Sequence, residues 1–145
     1  MLCMLFDTLN ELSREAPLTL DVRGDCMTGS LANGSQVQIE RQAYYLPGDI
    51  IVYGRGDDQL VVHRFLGYVR GPTGWLGITQ ADKMRVADSP VATGKILGKV
   101  LRVDNEPSVT SPWQRLRSFV YYWPAVTRWA GRGLGRRVFK RVKAG

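Results

Sequence analysis

The feature that most constrains the fold of this chain is a series of short apolar or alternating stretches separated by turn residues. These stretches cover residues 18–22, 37–40, 49–53, 59–68, 74–79 and 95–103. Alternation of apolar and polar residues is typical of half-buried strands, and the Gly-Asp and Gly-Pro pairs between stretches are typical of turns. Strands that follow one another without helices between them pair mostly antiparallel. The sequence therefore predicts a mainly β, antiparallel domain.

Segments with helical spacing flank these strands. Near the N-terminus, Leu5, Leu9 and Leu12 recur every three or four residues among polar side chains, which predicts a short amphipathic helix that ends before Pro17. Beyond residue 110, apolar residues again recur at helical spacing, and Pro124 is expected to break or restart that helix. We therefore divide the chain into an N-terminal helical segment (1–17), a β domain (18–110) and a C-terminal tail (111–145).

The positive charge of the chain belongs to this tail. The formal net charge is +7, yet residues 111–145 hold nine of the twenty Lys and Arg residues and no Asp or Glu. The other eleven basic residues are outnumbered by thirteen acidic ones, so the first 110 residues have a net charge of −2. No nucleic-acid recognition motif accompanies the charge, so we do not expect nucleic-acid binding.

Cysteine and hydropathy patterns bear on redox state and location. Cys3 and Cys26 are too few for a disulfide framework, although one bridge between them is an open alternative that nothing favours. With one histidine they fall short of a four-ligand zinc site unless carboxylates join them. We expect no metal and no cofactor. The N-terminus lacks the pattern of a secretion signal, and no apolar run approaches the length of a membrane span. These patterns predict a cytoplasmic protein, peripheral to the inner face of the cell membrane if its tail binds there.

Cys26 and His63 are the candidates for chemistry. A thiol and an imidazole are the two groups needed for nucleophilic acyl transfer, with the imidazole removing the thiol proton. His63 is the only histidine in the chain, and it lies in a predicted strand. We interpret Cys26 as a nucleophile and His63 as its base.

Motifs around these two residues carry a resemblance to a known family. In chain order they are Gly24-x-Cys26-Met27, Leu31-x-x-Gly34, Leu46-Pro47-Gly48-Asp49-Ile50-Ile51-Val52-Tyr53, Val62-His63-Arg64, Thr79-x-x-Asp82, Asp88 and Ile96-x-Gly98-Lys99-Val100. Over about residues 18–103 the chain resembles the superfamily of signal peptidase I and the self-cleaving, LexA-like repressors. The resemblance implies a coiled antiparallel β domain of that type. It also implies a serine followed by Met as nucleophile, with a Lys, or a His preceding Arg, as base.

Transferred to this chain, the resemblance implies a Cys-His-Asp triad. Cys26 stands in the position of the nucleophilic serine, and its backbone N–H is the expected oxyanion donor. His63 stands in the position of the His-type base, Asp88 is the expected acidic partner, and Asp82 is the reserve for that role. By analogy the substrate is a peptide bond in a precursor or leader peptide. The alternative is a catalytically inactive module of the same fold that binds peptides or docks to a membrane.

The tail offers a candidate docking surface. Aromatic and basic residues are interspersed along it, as in helices that lie in a membrane interface. We select Trp113, Trp123, Trp129, Arg136 and Arg137 as residues that dock to an anionic membrane or to a peptide. The competing interpretation is that the apolar residues of the tail pack on the β domain and its basic residues are solvated.

Overall fold

The structure is a computed structural model that describes residues 3–23, 27, 31–56 and 59–142, with side chains described between residues 6 and 132 of those ranges. Helix α1 spans Cys3–Glu15 and helix α2 spans Pro112–Val142. The strands are β1 (Leu18–Asp21), β2 (Gln36–Glu40), β3 (Ile50–Arg55), β4 (Gln59–Gly71), β5 (Gly74–Gln80), β6 (Val91–Ala92), β7 (Ile96–Val103) and β8 (Glu106–Pro107). A 3₁₀ turn, Thr93–Lys95, connects β6 to β7.

The strands form one eight-stranded sheet whose neighbours all pair antiparallel. Its order is β1-β2-β7-β3-β4-β5-β6, and β8 pairs with β7 outside this path. The prediction of a mainly β, antiparallel domain with a helix before it and a helix after it is confirmed. All six predicted strands are present. The two strands that the sequence did not predict, β6 and β8, have two residues each, which is too short for alternation to show.

The sheet has apolar clusters on both faces of its central strands. The first core packs β1, β2, β3 and β7 together with Val22, Met27 and Leu31, and α1 packs Phe6 and Leu9 against it. The second core contains Tyr45, Ile51, Tyr53, Val61, Phe65 and Ile96. Successive side chains of β3 alternate between the two cores, so the strand is buried along nearly its whole length. This explains the continuous apolar run in its sequence.

Helix α2 packs on the sheet through a third cluster, which we call the helix core. It contains Leu66, Val69, Ile78 and Ala125, with Trp129 among the partly buried residues around it. At Gly67 a Cβ atom would lie 2.6 Å from Cε2 of Tyr122, so only glycine lets the helix approach β4 this closely. The Tyr122 hydroxyl donates a hydrogen bond to the Tyr68 carbonyl. The described part of the tail is therefore attached to the β domain.

Pro124 lies inside α2, and the prediction that it breaks or restarts the helix is wrong. Proline has no N–H to donate to the carbonyl of Val120, but both residues are exposed, so water can bond that carbonyl. No helix in the described part of the chain is long and apolar enough to cross a membrane.

The start of α2 is fixed by a cap and by a buried carboxylate. Ser111 and Gln114 exchange backbone-to-side-chain hydrogen bonds of 2.9 and 3.2 Å, which form a capping box. One turn into the helix, Arg115 Nη1 lies 3.2 Å from Oδ1 of the buried Asp49. Lys99 Nζ of β7 lies 3.0 Å from the same oxygen. Asp49 thus joins the first turn of α2 to the centre of the sheet.

Candidate active site

His63 occupies the middle of the long strand β4, opposite Ile51 of β3. Its side chain is buried, with 4% of the residue exposed. The ring atom Nδ1 lies 2.6 Å from Oδ2 of Asp88 and 3.5 Å from the hydroxyl of Tyr53. Among the described residues, the ring's hydrogen-bond contacts therefore fall on Nδ1, on the side away from Nε2.

Asp88 lies in the loop between β5 and β6, and several groups fix its carboxylate. Its backbone N–H donates to the Thr79 carbonyl at 2.8 Å, and the Thr79 hydroxyl donates to Oδ2 at 2.9 Å. On the other oxygen, Arg55 Nη2 lies 3.4 Å from Oδ1. Both carboxylate oxygens therefore have partners, and the one that faces His63 is held in place.

The charge of Asp88 follows from these contacts. Burial alone would raise the pKa of its carboxyl, but His63, Thr79 and Arg55 stabilise the ionised form, and the net result is a pKa below the ordinary value. At neutral pH an ionised carboxylate can only accept hydrogen bonds. The proton in the short contact must therefore belong to Nδ1 of His63, and in the neutral ring Nε2 then carries the lone pair that a general base needs.

A buried phenol completes the network. Burial is the main reason that the pKa of Tyr53 is raised, so the phenol stays neutral. Arg55 donates to its oxygen at 3.0 Å, and its hydroxyl lies 3.2 Å from that of Thr79. Because Thr79 gives its one proton to Asp88, the proton between the two hydroxyls comes from Tyr53. The result is a directed chain from Tyr53 through Thr79 to Asp88.

The predicted nucleophile, Cys26, lies outside the described residues, as does the backbone N–H predicted to bind the oxyanion. Of the residues near it in the chain, Val22, Arg23 and Met27 are described. Val22 and Met27 are buried in the first core, and the backbone N–H of Val22 donates to Ser35 at 2.8 Å. Val62, the neighbour of His63, packs against the same core. Met27, the residue after Cys26, therefore belongs to the cluster against which Val62 packs.

Asp82, the reserve acidic partner, is paired with Arg64 rather than with His63. The two side chains make a bidentate ion pair in which Nε to Oδ1 and Nη2 to Oδ2 are both 2.8 Å. The buried Arg64 also donates to the Gly48 carbonyl at 2.8 Å. Adjacent residues of a strand point to opposite faces, so His63 and Arg64 take their acidic partners on different sides of β4. Arg64 thus ties β4 both to Asp82, which follows β5, and to the turn before β3.

The three tryptophans among the predicted docking residues of the tail do not share one surface. Trp113 and Trp123 are exposed, by 72% and 55%. Trp129 is partly buried and packs against the helix core, so it contacts the β domain, and its docking role stays a prediction. Arg136 and Arg137 belong to α2, but their side chains lie outside the described part of the structure.

Sequence reasoning missed Tyr53, Arg55 and Thr79. Alternation along β3 places Tyr53 and Arg55 on one face, which is a signal that was present in the sequence. The signal was not sufficient, because only the register of β3 with β4 and of β4 with β5 shows that these side chains surround His63 and Asp88.

Among the described residues, no cluster of three or more His, Cys, Asp or Glu side chains could hold a metal ion. No protein-family model matches the chain, and no curated protein matches it. We therefore infer function from the geometry of this site.

Proposed function

We propose that this protein is a cysteine peptidase in which Cys26 is the nucleophile, His63 the general base and Asp88 the residue that positions the base. The observation that carries the proposal is the contact between His63 Nδ1 and Asp88 Oδ2 at 2.6 Å. A buried carboxylate that accepts from Nδ1 orients the ring and stabilises the imidazolium that forms during the reaction. The finer fold that we propose is the coiled sheet of the signal-peptidase and repressor superfamily.

The proposed reaction has two steps. In the first, Nε2 of His63 takes the proton of the Cys26 thiol, and the thiolate attacks the carbonyl carbon of a peptide bond. The oxyanion is stabilised by backbone N–H groups, that of Cys26 among them. The imidazolium then protonates the leaving amine, and a thioester remains on Cys26. In the second step, water activated by His63 hydrolyses that thioester and restores the thiol.

The proposal imposes a geometric requirement on residues 24–26. His63 contacts Tyr53 of the second core, whereas Met27 is buried in the first core. The proposed reaction therefore requires the Cys26 thiol to lie on the same side of β4 as the imidazole, within hydrogen-bond distance of Nε2. For the substrate we propose an extended precursor or leader peptide, by analogy with the superfamily, bound as an added strand.

The test is the reactivity of the thiol. A cysteine beside an imidazole has more thiolate near neutral pH than a free cysteine, whose pKa is about 8.5. We expect iodoacetamide to modify Cys26 at least about tenfold faster than Cys3 of the same chain unfolded in urea. His63→Gln should remove this advantage, whereas Tyr44→Phe, at an exposed tyrosine, should not.

Equal rates for the two cysteines, or a fast rate that survives His63→Gln, would exclude an activated Cys-His pair. The inactive peptide-binding module would then be the better description. Peptide cleavage that is lost in Cys26→Ala would establish the reaction itself.

A further inference from the structure

The described side chains of helix α2 form two apolar faces, and of these one packs on the sheet. The inward face carries the buried Ser118 and Ala125 and the Tyr122 ring that lies on Gly67. The opposite face carries five large apolar side chains that are 49–72% exposed. They are Trp113, Leu116, Phe119, Val120 and Trp123, which we call the outward stripe.

The spacing of the outward stripe shows that it is one continuous surface. Trp113, Leu116, Val120 and Trp123 are separated by three, four and three residues, so they lie along one side of an α-helix. Phe119 packs edge-to-face on Trp123, with ring centroids 6.0 Å apart. Contiguous exposed apolar surface of this kind marks an interaction site, whereas single exposed apolar residues do not.

Charge indicates what the stripe contacts. Residues 107–145 contain nine Lys and Arg and no Asp or Glu. Arg117 and Arg128 are exposed on the described part of α2. Two copies of such a helix would repel each other, which argues against self-association through this face. An anionic bilayer complements both properties, because aromatic side chains enter the interface while basic ones contact phosphate.

We propose that the outward stripe binds an anionic lipid bilayer, with α2 lying flat in the interface while its inward face holds the β domain. The proposal does not depend on the chemistry of Cys26. It also narrows the docking surface to the first three turns of α2, Trp113 to Trp123, and leaves out Trp129.

The experiment is co-sedimentation of the full chain with vesicles of equimolar phosphatidylcholine and phosphatidylglycerol. We expect binding that Trp113→Gln with Trp123→Gln weakens by at least about tenfold. The matched control is Trp75→Gln on β5, because Trp75 and Trp123 are both 55% exposed, and it should bind like the unaltered chain. Binding to pure phosphatidylcholine vesicles should be weaker, also by at least about tenfold.

A second measurement uses only the unaltered chain, so it is independent of how the variants fold. Brominated acyl chains should quench tryptophan fluorescence on binding, since the stripe enters the interface. Vesicle binding that the double substitution leaves unchanged would overturn the proposal. So would a dimer in solution that the double substitution dissociates while the unaltered chain ignores vesicles, because the stripe would then be a contact between two copies.

Discussion

At the scale of single residues, the environment of Asp88 decides what His63 can do. One carboxylate oxygen of Asp88 accepts hydrogen bonds from Nδ1 of His63 and from the hydroxyl of Thr79, and the other oxygen pairs with Arg55. The assignment of Asp88 and Asp82 from sequence rested on family resemblance alone. The structure separates the two by giving each its own basic partner on β4. The roles of Tyr53 and Arg55 could not be predicted, because they depend on strand register.

Acid should weaken the contribution of Asp88 to stability. Its carboxyl pKa is lower in the folded protein than the ordinary 3.8, so its stabilisation is complete above that value and is lost as pH falls through the folded pKa. Near neutral pH we expect Asp88→Asn to lower the free energy of unfolding by about 1–3 kcal/mol. The difference should shrink below about pH 4 in urea titrations.

The control for this titration is Asp7→Asn on α1, where the side chain is exposed and substitution should change the free energy of unfolding little. A deficit of Asp88→Asn that grows on acidification would contradict the lowered pKa.

At the scale of elements, the strands were predictable and the position of α2 was not. Alternation identified β1 to β5 and β7, because each has a buried face and an exposed one or is buried throughout. Nothing in the spacing of the tail distinguished a packed stripe from a free one, since α2 has apolar residues on both faces. The position of α2 depends on Gly67 and Gly48, because a Cβ atom at either residue would collide with the helix or with the residues just before it.

A side chain at position 67 should displace α2. A Cβ atom there would lie 2.6 Å from the Tyr122 ring, so Gly67→Ala must move either the ring or the helix. We expect the free energy of unfolding to fall by about 1–3 kcal/mol in urea denaturation. The matched control is Gly94→Ala in the 3₁₀ turn, where a Cβ would have nothing within 4 Å. If Gly67→Ala is as stable as Gly94→Ala, the close packing of α2 on β4 is not present in solution.

At the scale of the whole molecule, the β domain and the described part of α2 pack together as one folded unit. The division at residue 110 placed α2 outside the domain. In the structure its first turn is bonded to Asp49, and its middle packs on Leu66, Val69 and Ile78 of β4 and β5. A boundary drawn from helical spacing could not show this, because spacing does not show which face of a helix packs on a sheet.

Two truncations should therefore behave differently. A chain ending at Ser111 loses Ala125 and Tyr122, and we expect it to lose several kcal/mol of unfolding free energy and to bind a hydrophobic dye. A chain ending at Arg132 keeps the packed part of α2 and should unfold nearly like the full chain. Equal stability of the two truncations, measured by urea denaturation, would show that α2 does not support the sheet.

The contact of α2 with β4 has a consequence for distances. The helix contacts β4 at Gly67 and Tyr68, which come four and five residues after His63 on the same strand. A strand rises about 3.3 Å per residue, so His63 lies roughly 13–17 Å along the strand from this contact. The strand therefore fixes the distance between the imidazole and the helix. Under the two proposals above, this fixed distance limits which bonds of a peptide near the bilayer the imidazole can reach.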